Sequence, residues 1–381
     1  MPLFNGVLNP NEVQTALFNM IISQRVVAKN IAGTYSSLVE KAREEGGLYG
    51  DSILQIDTDC LETHDWMGDA EAENLLAIDR PPAPKTQRFV LNRFKQVRVS
   101  TDDYLSKRGF STEGVFMEYN GVVLAWMTDT KRVYESRLYN TFIGTHETSA
   151  GKQIHLIDVA SARGNASTEE EANRLEAEEI ARSLAELLVR MKDARRDYND
   201  YGFMRSFSED EIKVIWNSAK VAKLKYVDLP TIFHKEGMIQ KFEEEILPAE
   251  YFGRALVESD FGSGKVIGTD GLYDSTKGTL FATEEFVYND KHYFPNDELA
   301  TSGTYVGVVG GIEASMVALR TEDVICKIVV KLPPLMSSFE AGSNFWNGRA
   351  LVTNHYLTWG FNTLDHYYGK PFITVKEKPA A

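Results

Sequence analysis

The stretch DFGSGKVIGTDG at residues 260–271 contains the residue types closest to a nucleotide-binding loop. Such a loop requires a glycine, four residues of any type, and then Gly-Lys followed by Ser or Thr, so that backbone N–H groups surround the phosphates. Ser259 and Val266 occupy the positions of that first glycine and of that hydroxyl. The pattern therefore favours a turn-rich hairpin. A nucleotide-dependent enzyme using Lys265 and Asp260 stays the enzymatic alternative, and it predicts saturable nucleotide binding that Lys265→Ala abolishes.

Histidines, serines and cysteines show no recognisable catalytic or metal-binding spacing. The histidines form no His-Glu-x-x-His pair and have no cysteine partners, and Gly262-Ser263-Gly264 is not a full Gly-x-Ser-x-Gly elbow. The histidines are His64, His146, His155, His234, His292, His355 and His366. Cys60 and Cys326 lie far apart, which fits two free thiols in a reducing compartment. The sequence leaves a metal site open but predicts none, and it predicts no catalytic residue and no cofactor.

A cluster of charged residues, MKDARRDYNDYGF at 191–203, follows a strongly helical segment. Its residue types could serve an active site or a piece of architecture, and the residues alone leave both open. The charged residues on which the question turns are Arg195, Arg196, Asp197 and Asp200, with Tyr198 among them.

A basic segment, KTQRFVLNRFKQVRVST, alternates apolar and polar residues from residue 85, which predicts a pair of strands. It contains Lys85, Arg88, Arg93, Lys95 and Arg98 and no acid up to residue 98, whereas the preceding segment contains Asp65, Asp69, Glu71, Glu73 and Asp79. Composition alone favours a solvated ribbon. Ordering a long exposed two-stranded arm is costly without a partner, however. We therefore expect the cations to contact acidic surfaces of a neighbouring subunit, around Asp65 to Asp79 or Glu243 to Glu245.

Two helices should support these segments. In TEGVFMEYNGVVLAWMTDTKRVYESRLYNTFIG the apolar residues Val115, Tyr119, Val122 and Trp126 recur at spacings of four, three and four, which predicts a long amphipathic helix. Gly114 and Gly121 each cost a helix about 1 kcal/mol relative to alanine, so they suggest close packing or a bend; a break near Thr128 or at Gly144 stays open. A capping box of Ser167 and Glu170 begins the second helix.

The remaining segments predict strands and turns. EIKVIWN, VICKIVVKL, ALVTNHYLTWGF and KPFITV are strand-like, and turn residues separate them. No repeat or flexible linker is visible, so two or three interleaved lobes are expected from 381 residues. The fold class is α+β.

Charge and hydropathy exclude several classes of function. The formal net charge of −14 argues against a general nucleic-acid binder, which needs a basic patch. The N-terminus lacks the early positive charge and continuous apolar core of a signal peptide. No run approaches the roughly 18 apolar residues of a membrane span. We expect a protein that is made and kept in solution.

The segment MKDARRDYNDYGFMRSFSEDEIKVIW resembles the major capsid proteins of small podovirus-type tailed phages. In that family a helix ends in Met, a short charged turn leads to Tyr-Asn and Gly, and a strand follows. The corresponding residues here are Met191, Tyr198, Asn199, Gly202 and the strand Ile212 to Trp216. RGFSTEGVFMEYNGVV resembles the start of the family's long spine helix, YVDLPTIFHKEG a short axial-domain helix, and VTNHYLTWGF a returning strand.

The resemblance implies the Hong Kong 97-type capsid fold and a division into five parts. These parts are an N-terminal arm (1–60), an extended hairpin loop (61–108), a peripheral domain with the spine helix (109–200), an axial domain (201–322) and a C-terminal return to the peripheral domain (323–381). The implied domain elbow, a solvated or ion-paired turn in which Tyr198 packs, consists of Arg195, Arg196, Tyr198, Asn199 and Gly202. The implied inter-subunit contacts are Arg88, Arg93, Lys95 and Arg98 with Asp69, Glu71 and Glu73.

The resemblance also implies the function and partners. The chain would form pentamers and hexamers of an icosahedral or elongated shell around double-stranded phage DNA, with DNA held weakly on the inner face. A portal would occupy one vertex and no membrane would be involved. The chain ends soon after Val375, so no extra C-terminal domain is expected. The N-terminal arm is too short for an internal scaffold, so a separate scaffolding protein is implied. The non-enzymatic alternative is another virion protein that forms rings or tubes.

Overall fold

The structure is a computed structural model, and it describes residues 37–44, 52–65, 80–102, 113–148, 150–221, 243–256, 279–288, 290–300, 316–336 and 339–379. Three predicted features lie outside these residues: the acids Asp69, Glu71 and Glu73, the loop DFGSGKVIGTDG, and the segment YVDLPTIFHKEG. The helices are α1 (Ser37–Ala42), α2 (Glu113–Thr145), α3 (Val159–Arg163) and α4 (Glu169–Lys192). Among these described helices, none combines the length and the apolar content that crossing a membrane requires.

The chain forms two compact units, each assembled from three separate segments, as the absence of linkers predicts. The first unit comprises Met1–Asp51, Val90–Ser136 and Leu335–Thr363; the second comprises Ser52–Phe89, Arg137–Pro334 and Leu364–Ala381. Strand β3 and helix α2 each begin in one unit and end in the other.

The first unit is built on a long antiparallel ribbon. The ribbon contains β3 (Lys85–Asp102), β15 (Phe339–Asn347) and β16 (Val352–Asn362), and β1 (Arg43–Glu44) and β14 (Leu335–Met336) form a separate parallel pair. Strand β16 pairs with β15 on one side and with β3 on the other. Tyr134 of α2 packs edge-on against Trp359 and Phe361, with ring centroids 5.9 and 5.8 Å apart. These aromatic contacts bury the inner face of β16.

The predicted pairing within residues 85–101 is wrong. The segment is one strand of 18 residues, and its partner is β16, more than 250 residues further along the chain. The alternation of residue types is a correct strand signal, but the segment contains no Gly, no Pro and no Asn-Gly pair, so it lacks a hairpin turn. In sheet order the ribbon reads β15-β16-β3-β2, where β2 is Ser52–Asp57.

The second unit contains a five-stranded sheet with order β4-β17-β13-β5-β6. The strands are β4 (Ile154–Ile157), β5 (Lys213–Asn217), β6 (Glu243–Leu247), β13 (Val324–Val329) and β17 (Phe372–Glu377). Every residue of the central strand β13 is buried, which explains why its sequence is apolar except for Lys327. The apolar stripe of α4, which includes Ile180, Leu184 and Met191, packs on this sheet in the main core.

A second sheet of the same unit has order β11-β8-β12-β7. Its strands are β7 (Gly253–Ala255), β8 (Leu280–Ala282), β11 (Glu298–Ala300) and β12 (Val317–Arg320), and β9 (Phe286–Tyr288) forms a hairpin with β10 (Lys291–Tyr293). Leu256, Leu280, Val317 and Leu319 form a separate small core there.

Helix α2 is unbroken from Glu113 to Thr145, so neither Thr128 nor Gly144 interrupts it. A Cβ added at Gly121 would meet no atom within 4 Å. A Cβ at Gly144 would lie 2.6 Å from the carbonyl carbon of Tyr251 and closer still to its oxygen. Gly144, rather than Gly121, is therefore the glycine that close packing requires.

The capping box of α4 is displaced by one residue from its predicted position. Thr168, not Ser167, is the N-cap, and its Oγ1 accepts a hydrogen bond from Glu171 N–H at 3.2 Å. The carboxylate of Glu171 accepts from Ser167 N–H at 2.8 Å. The sequence Ser-Thr-Glu-Glu-Glu allows either alignment, because both Ser and Thr cap helices well.

Candidate functional site

The four predicted contact cations all lie on β3, but they differ in their surroundings. Arg88 and Arg98 are exposed, and neither has an ion-pair partner among the residues that the structure describes. Arg93 Nε donates to Thr363 Oγ1 at 3.4 Å. Lys95 Nζ lies 5.7 Å from the ring centroid of Tyr134, within the range of a cation–π contact.

The register of the ribbon explains this difference. Arg93 and Lys95 lie opposite Phe361 and Trp359 of β16. Directly opposed residues of an antiparallel pair share one face of the sheet, so Arg93 and Lys95 lie on the face that carries the buried aromatic rings. Arg98 lies opposite Tyr356 on the other face. The structure thus divides the predicted set by contacts: Arg88 and Arg98 have no ion-pair partner among the described residues, whereas Arg93, although also exposed, and Lys95 have contacts within their own subunit.

The charged turn after α4 is closed by hydrogen bonds within the second unit. Arg195 and Arg205 exchange two backbone hydrogen bonds of 2.9 Å. Asn199 is 1% exposed; its Nδ2 donates to Phe203 O at 2.7 Å and its Oδ1 accepts from Phe203 N–H at 2.8 Å. Gly202 has a φ of +67°, a conformation that glycine adopts without strain.

Asp59 is a partner of this turn that sequence reasoning did not identify. Its carboxylate accepts from Met204 N–H at 2.8 Å and from Arg196 Nη1 at 2.5 Å. The hydrogen bond from Met204, together with that from Arg196, lowers the pKa of Asp59 although burial opposes the change. No local signal joins positions so far apart in the sequence. Tyr198 is 3% exposed and packs in the main core, as predicted. These contacts hold the turn in one conformation within the second unit.

A second polar cluster was not predicted at all. Lys327, in the centre of the buried strand β13, donates from Nζ to His146 O at 2.8 Å and to Thr374 Oγ1 at 2.9 Å. Burial lowers the pKa of Lys327 to about 7, although the nearby Glu147 opposes this change. A charged group at such a depth is tolerated only when hydrogen bonds satisfy it, so these acceptors hold the lysine in place.

His146 and His366, beside Lys327, have opposite pKa shifts. Burial and the neighbouring His366 lower the pKa of His146 to about 4. Burial also acts to lower the pKa of His366, but hydrogen bonds to Asp200 and Asp365 outweigh it and raise the pKa to about 9. At neutral pH, His366 is therefore the charged member of the pair and His146 the neutral one.

The sequence and the fold were compared with those of known proteins. A family model described as Phi29-like phage major capsid protein matches residues 8–324. No curated protein matches the chain. Among solved structures, a chain of the capsid structure of Staphylococcus phage Andhra aligns with a TM-score of 0.59 and 11% identity, over 99% of this chain and 90% of that one.

A second similar chain comes from the structure of the head fiber and inner core protein gp22 of native bacteriophage P68. Its TM-score is 0.57 at 11% identity, over 99% of this chain and 90% of that one. At such identity the likeness shows a shared fold, and the mixed helix-and-sheet architecture of phage capsid proteins is the fold of this chain. The family match covers most of the sequence independently of that likeness. The chain therefore belongs to the Phi29-like phage major capsid proteins, and it is a structural subunit that self-assembles into the shell of a virion.

Proposed function

We propose that this subunit forms pentamers and hexamers of a closed shell around double-stranded phage DNA, with a separate scaffolding protein and a portal at one vertex. Synthesis would take place in the host cytoplasm, and no enzymatic activity is part of the proposal. The formal net charge of −14 per subunit supports a shell that binds the negatively charged packaged DNA only weakly.

The observation that carries the proposed contact is the exposed pair Arg88 and Arg98 on β3. Opposite charges across an interface steer association and fix its register. A guanidinium that has no ion-pair partner within the described part of its own subunit is available for a carboxylate of a neighbouring copy. Arg93 and Lys95 contribute mainly by keeping the ribbon attached to its own subunit.

Two acidic surfaces could receive these arginines. One is the segment from Asp65 to Asp79, whose members Asp69, Glu71 and Glu73 lie outside the described residues. The other is strand β6, at the edge of the five-stranded sheet, where Glu244 is exposed. Of the two, β6 provides a carboxylate at a defined position.

The outer end of the ribbon supports the same role. Phe345 and Trp346 of β15 are each 60% exposed, and β15 is an edge strand. Exposed aromatic residues on an edge strand suit burial against another protein. In a shell, many modest contacts of this kind are repeated by symmetry, which gives avidity.

The experiment is charge reversal at Arg98 with a charge-retaining control. Arg98→Glu should reduce shell formation at least about tenfold, since a repelling pair replaces an attractive one, while Arg98→Lys should assemble nearly as well as the wild type. Electron microscopy and size exclusion would be applied to each variant, expressed alone and with scaffold candidates. Normal shells from a folded Arg98→Glu subunit would contradict the proposed contact, and rings or tubes from the wild type would contradict the closed shell.

We propose further that the turn at 193–205 is the elbow between a peripheral domain (109–200) and an axial domain (201–322), with the arm, extended loop and C-terminal return bounded as predicted. The double hydrogen bond of Asn199 to Phe203 supports a stiff joint. Asn199→Ala should therefore leave a folded subunit whose turn is cut faster by protease, whereas Asn165→Ala, on an exposed loop of the same unit, should be cut at the wild-type rate.

A further inference from the structure

Two histidines and an aspartate converge in the second unit. We call His146, Asp365 and His366 the histidine–aspartate cluster. His146 directly follows α2, and Asp365 and His366 lie between β16 and β17. His146 Nε2 is 2.8 Å from His366 Nδ1, and His366 Nδ1 is 3.2 Å from Asp365 Oδ1. The three atoms all lie within 4.8 Å of one another.

Outer partners orient two of these side chains. His366 Nε2 lies 2.9 Å from Asp200 Oδ2, which directs Nδ1 of the same ring into the cluster. Asp365 Oδ2 accepts a hydrogen bond of 2.5 Å from the Tyr368 hydroxyl, which leaves Oδ1 on the cluster side. A carboxylate on the far nitrogen of a histidine is the usual outer partner of a metal-binding imidazole.

The two measured spacings around His366 can be compared with those of a tetrahedral metal site. Zinc binds histidine nitrogen at about 2.0–2.1 Å and carboxylate oxygen at about 2.0–2.2 Å, which places neighbouring ligand atoms about 3.3 Å apart. The spacing between His366 and Asp365 already has this value, and the two histidines would need to separate by about 0.5 Å. A rotation of the His146 ring would achieve this, because His146 is only half-buried, whereas His366 is buried.

We propose that His146, Asp365 and His366 bind one Zn²⁺ ion, with a water molecule as the fourth ligand. His366 Nδ1 binds the ion only after losing the proton that the charged imidazole carries, so Zn²⁺ binding releases this proton and weakens as pH falls. Two imidazoles and a carboxylate suit this ion better than Mg²⁺ or Ca²⁺, which prefer sets of oxygen ligands. The ammonium of Lys327, which donates to the backbone oxygen of His146, would repel a metal ion. The carboxylates of Asp200 and Asp365 offset this positive charge.

The ion would cross-link two distant segments. It would join the end of helix α2 to the segment before β17, positions that are 220 residues apart in the sequence. A link that closes a long loop removes much conformational freedom from the unfolded chain, and a ligand that binds only the folded state stabilises it. The proposed role is structural and independent of shell assembly.

The test uses the full-length unassembled subunit, freed of metal by a chelator and dialysed, with Zn²⁺ and Co²⁺ as probes. We expect about one Zn²⁺ per subunit, a rise in Tm on addition of Zn²⁺, and the visible absorption of tetrahedral Co²⁺. His146→Gln and Asp365→Asn should each remove the Co²⁺ spectrum and the rise in Tm. Asp200→Asn, which alters only the outer partner, should weaken Zn²⁺ binding about 10–100-fold.

The matched control is His155→Gln, a partly buried histidine of the same unit that lies 2.7 Å from Ser183 Oγ and outside the cluster. It should bind Zn²⁺ like the wild type. Circular dichroism separates loss of a ligand from loss of the fold, and His146→Gln is the mildest variant because the glutamine oxygen can still accept a hydrogen bond from His366. The proposal is overturned if the wild-type subunit binds no Zn²⁺, or if the cluster variants and His155→Gln bind it equally.

Discussion

Replacing Gly144 by alanine should destabilise the subunit, whereas the same replacement at Gly121 of the same helix should not. The new Cβ at position 144 would lie 2.6 Å from the carbonyl carbon of Tyr251 and 3.3 Å from Phe252 N. Carbon atoms in contact prefer about 3.5–4.0 Å, so the helix and the backbone at Tyr251 must separate by about 1 Å. The obstacle is backbone, which cannot rotate away as a side chain would.

The expected magnitude follows from two opposing effects. Overpacking a tight contact costs about 1–3 kcal/mol, and a backbone obstacle puts Gly144→Ala near the upper end. Alanine in a helix interior is favoured over glycine by about 1 kcal/mol, and Gly144, next to last in α2, can gain at most this amount. The free energy of unfolding should therefore fall by about 2 kcal/mol for Gly144→Ala. Gly121 has open space around it, so Gly121→Ala keeps only the favourable effect and should raise the free energy by about 1 kcal/mol.

Urea unfolding followed by circular dichroism measures both variants, at concentrations too low for association. The difference between the two alanine variants should be about 3 kcal/mol, with opposite signs relative to the wild type. Two results would refute the reasoning: a Gly144→Ala subunit as stable as the wild type, or equal losses at both positions. Equal losses would indicate that glycine is needed along the whole helix rather than at one close approach.

Three further predictions concern the second unit. Tyr139→Phe should lower the free energy of unfolding by about 1–3 kcal/mol, because the buried Pro333 oxygen loses its 2.8 Å hydrogen bond; urea unfolding of the variant tests this. Thr168→Ala should cost about 1 kcal/mol by removing the N-cap of α4, and Ser167→Ala, measured alongside it, should cost less. Burial lowers the pKa of His155 in the folded state. As pH falls through about 6.5, the ordinary pKa of histidine, this side chain is therefore protonated in the unfolded chain before it is protonated in the folded one, which favours unfolding. Acidification from pH 7 to 5 should then destabilise the wild type more than His155→Gln, and equal losses in the two proteins would contradict the shift.

Local sequence signals predicted most elements correctly. The α2 helix follows from its apolar spacing, and β13 from an apolar run that only Lys327 interrupts, because both patterns depend on neighbouring residues only. The displaced N-cap of α4 shows the limit of such signals. Ser167 and Thr168 are equally good caps by residue type, and only the backbone conformation of the folded chain makes Thr168 the N-cap.

The sites were harder to predict because they depend on distant residues. Alternation identified residues 85–102 as extended, but the partner of this strand is determined by Trp359 and Phe361, which pack on Tyr134 far away in the sequence. The pairing of Arg196 with Asp59 and of His146 with His366 has the same origin. No spacing rule joins residues that only the finished fold brings together.

The pairing of β3 with β16 has a consequence for the timing of synthesis. Ser100 bonds to Asn354, 254 residues later, so the ribbon cannot form until residue 354 has left the ribosome. Contacts so distant in sequence form late in folding. The exposed arginines of β3 therefore reach their final arrangement only after β16 has been made, and two nascent chains on one messenger RNA cannot join through a completed ribbon before that point.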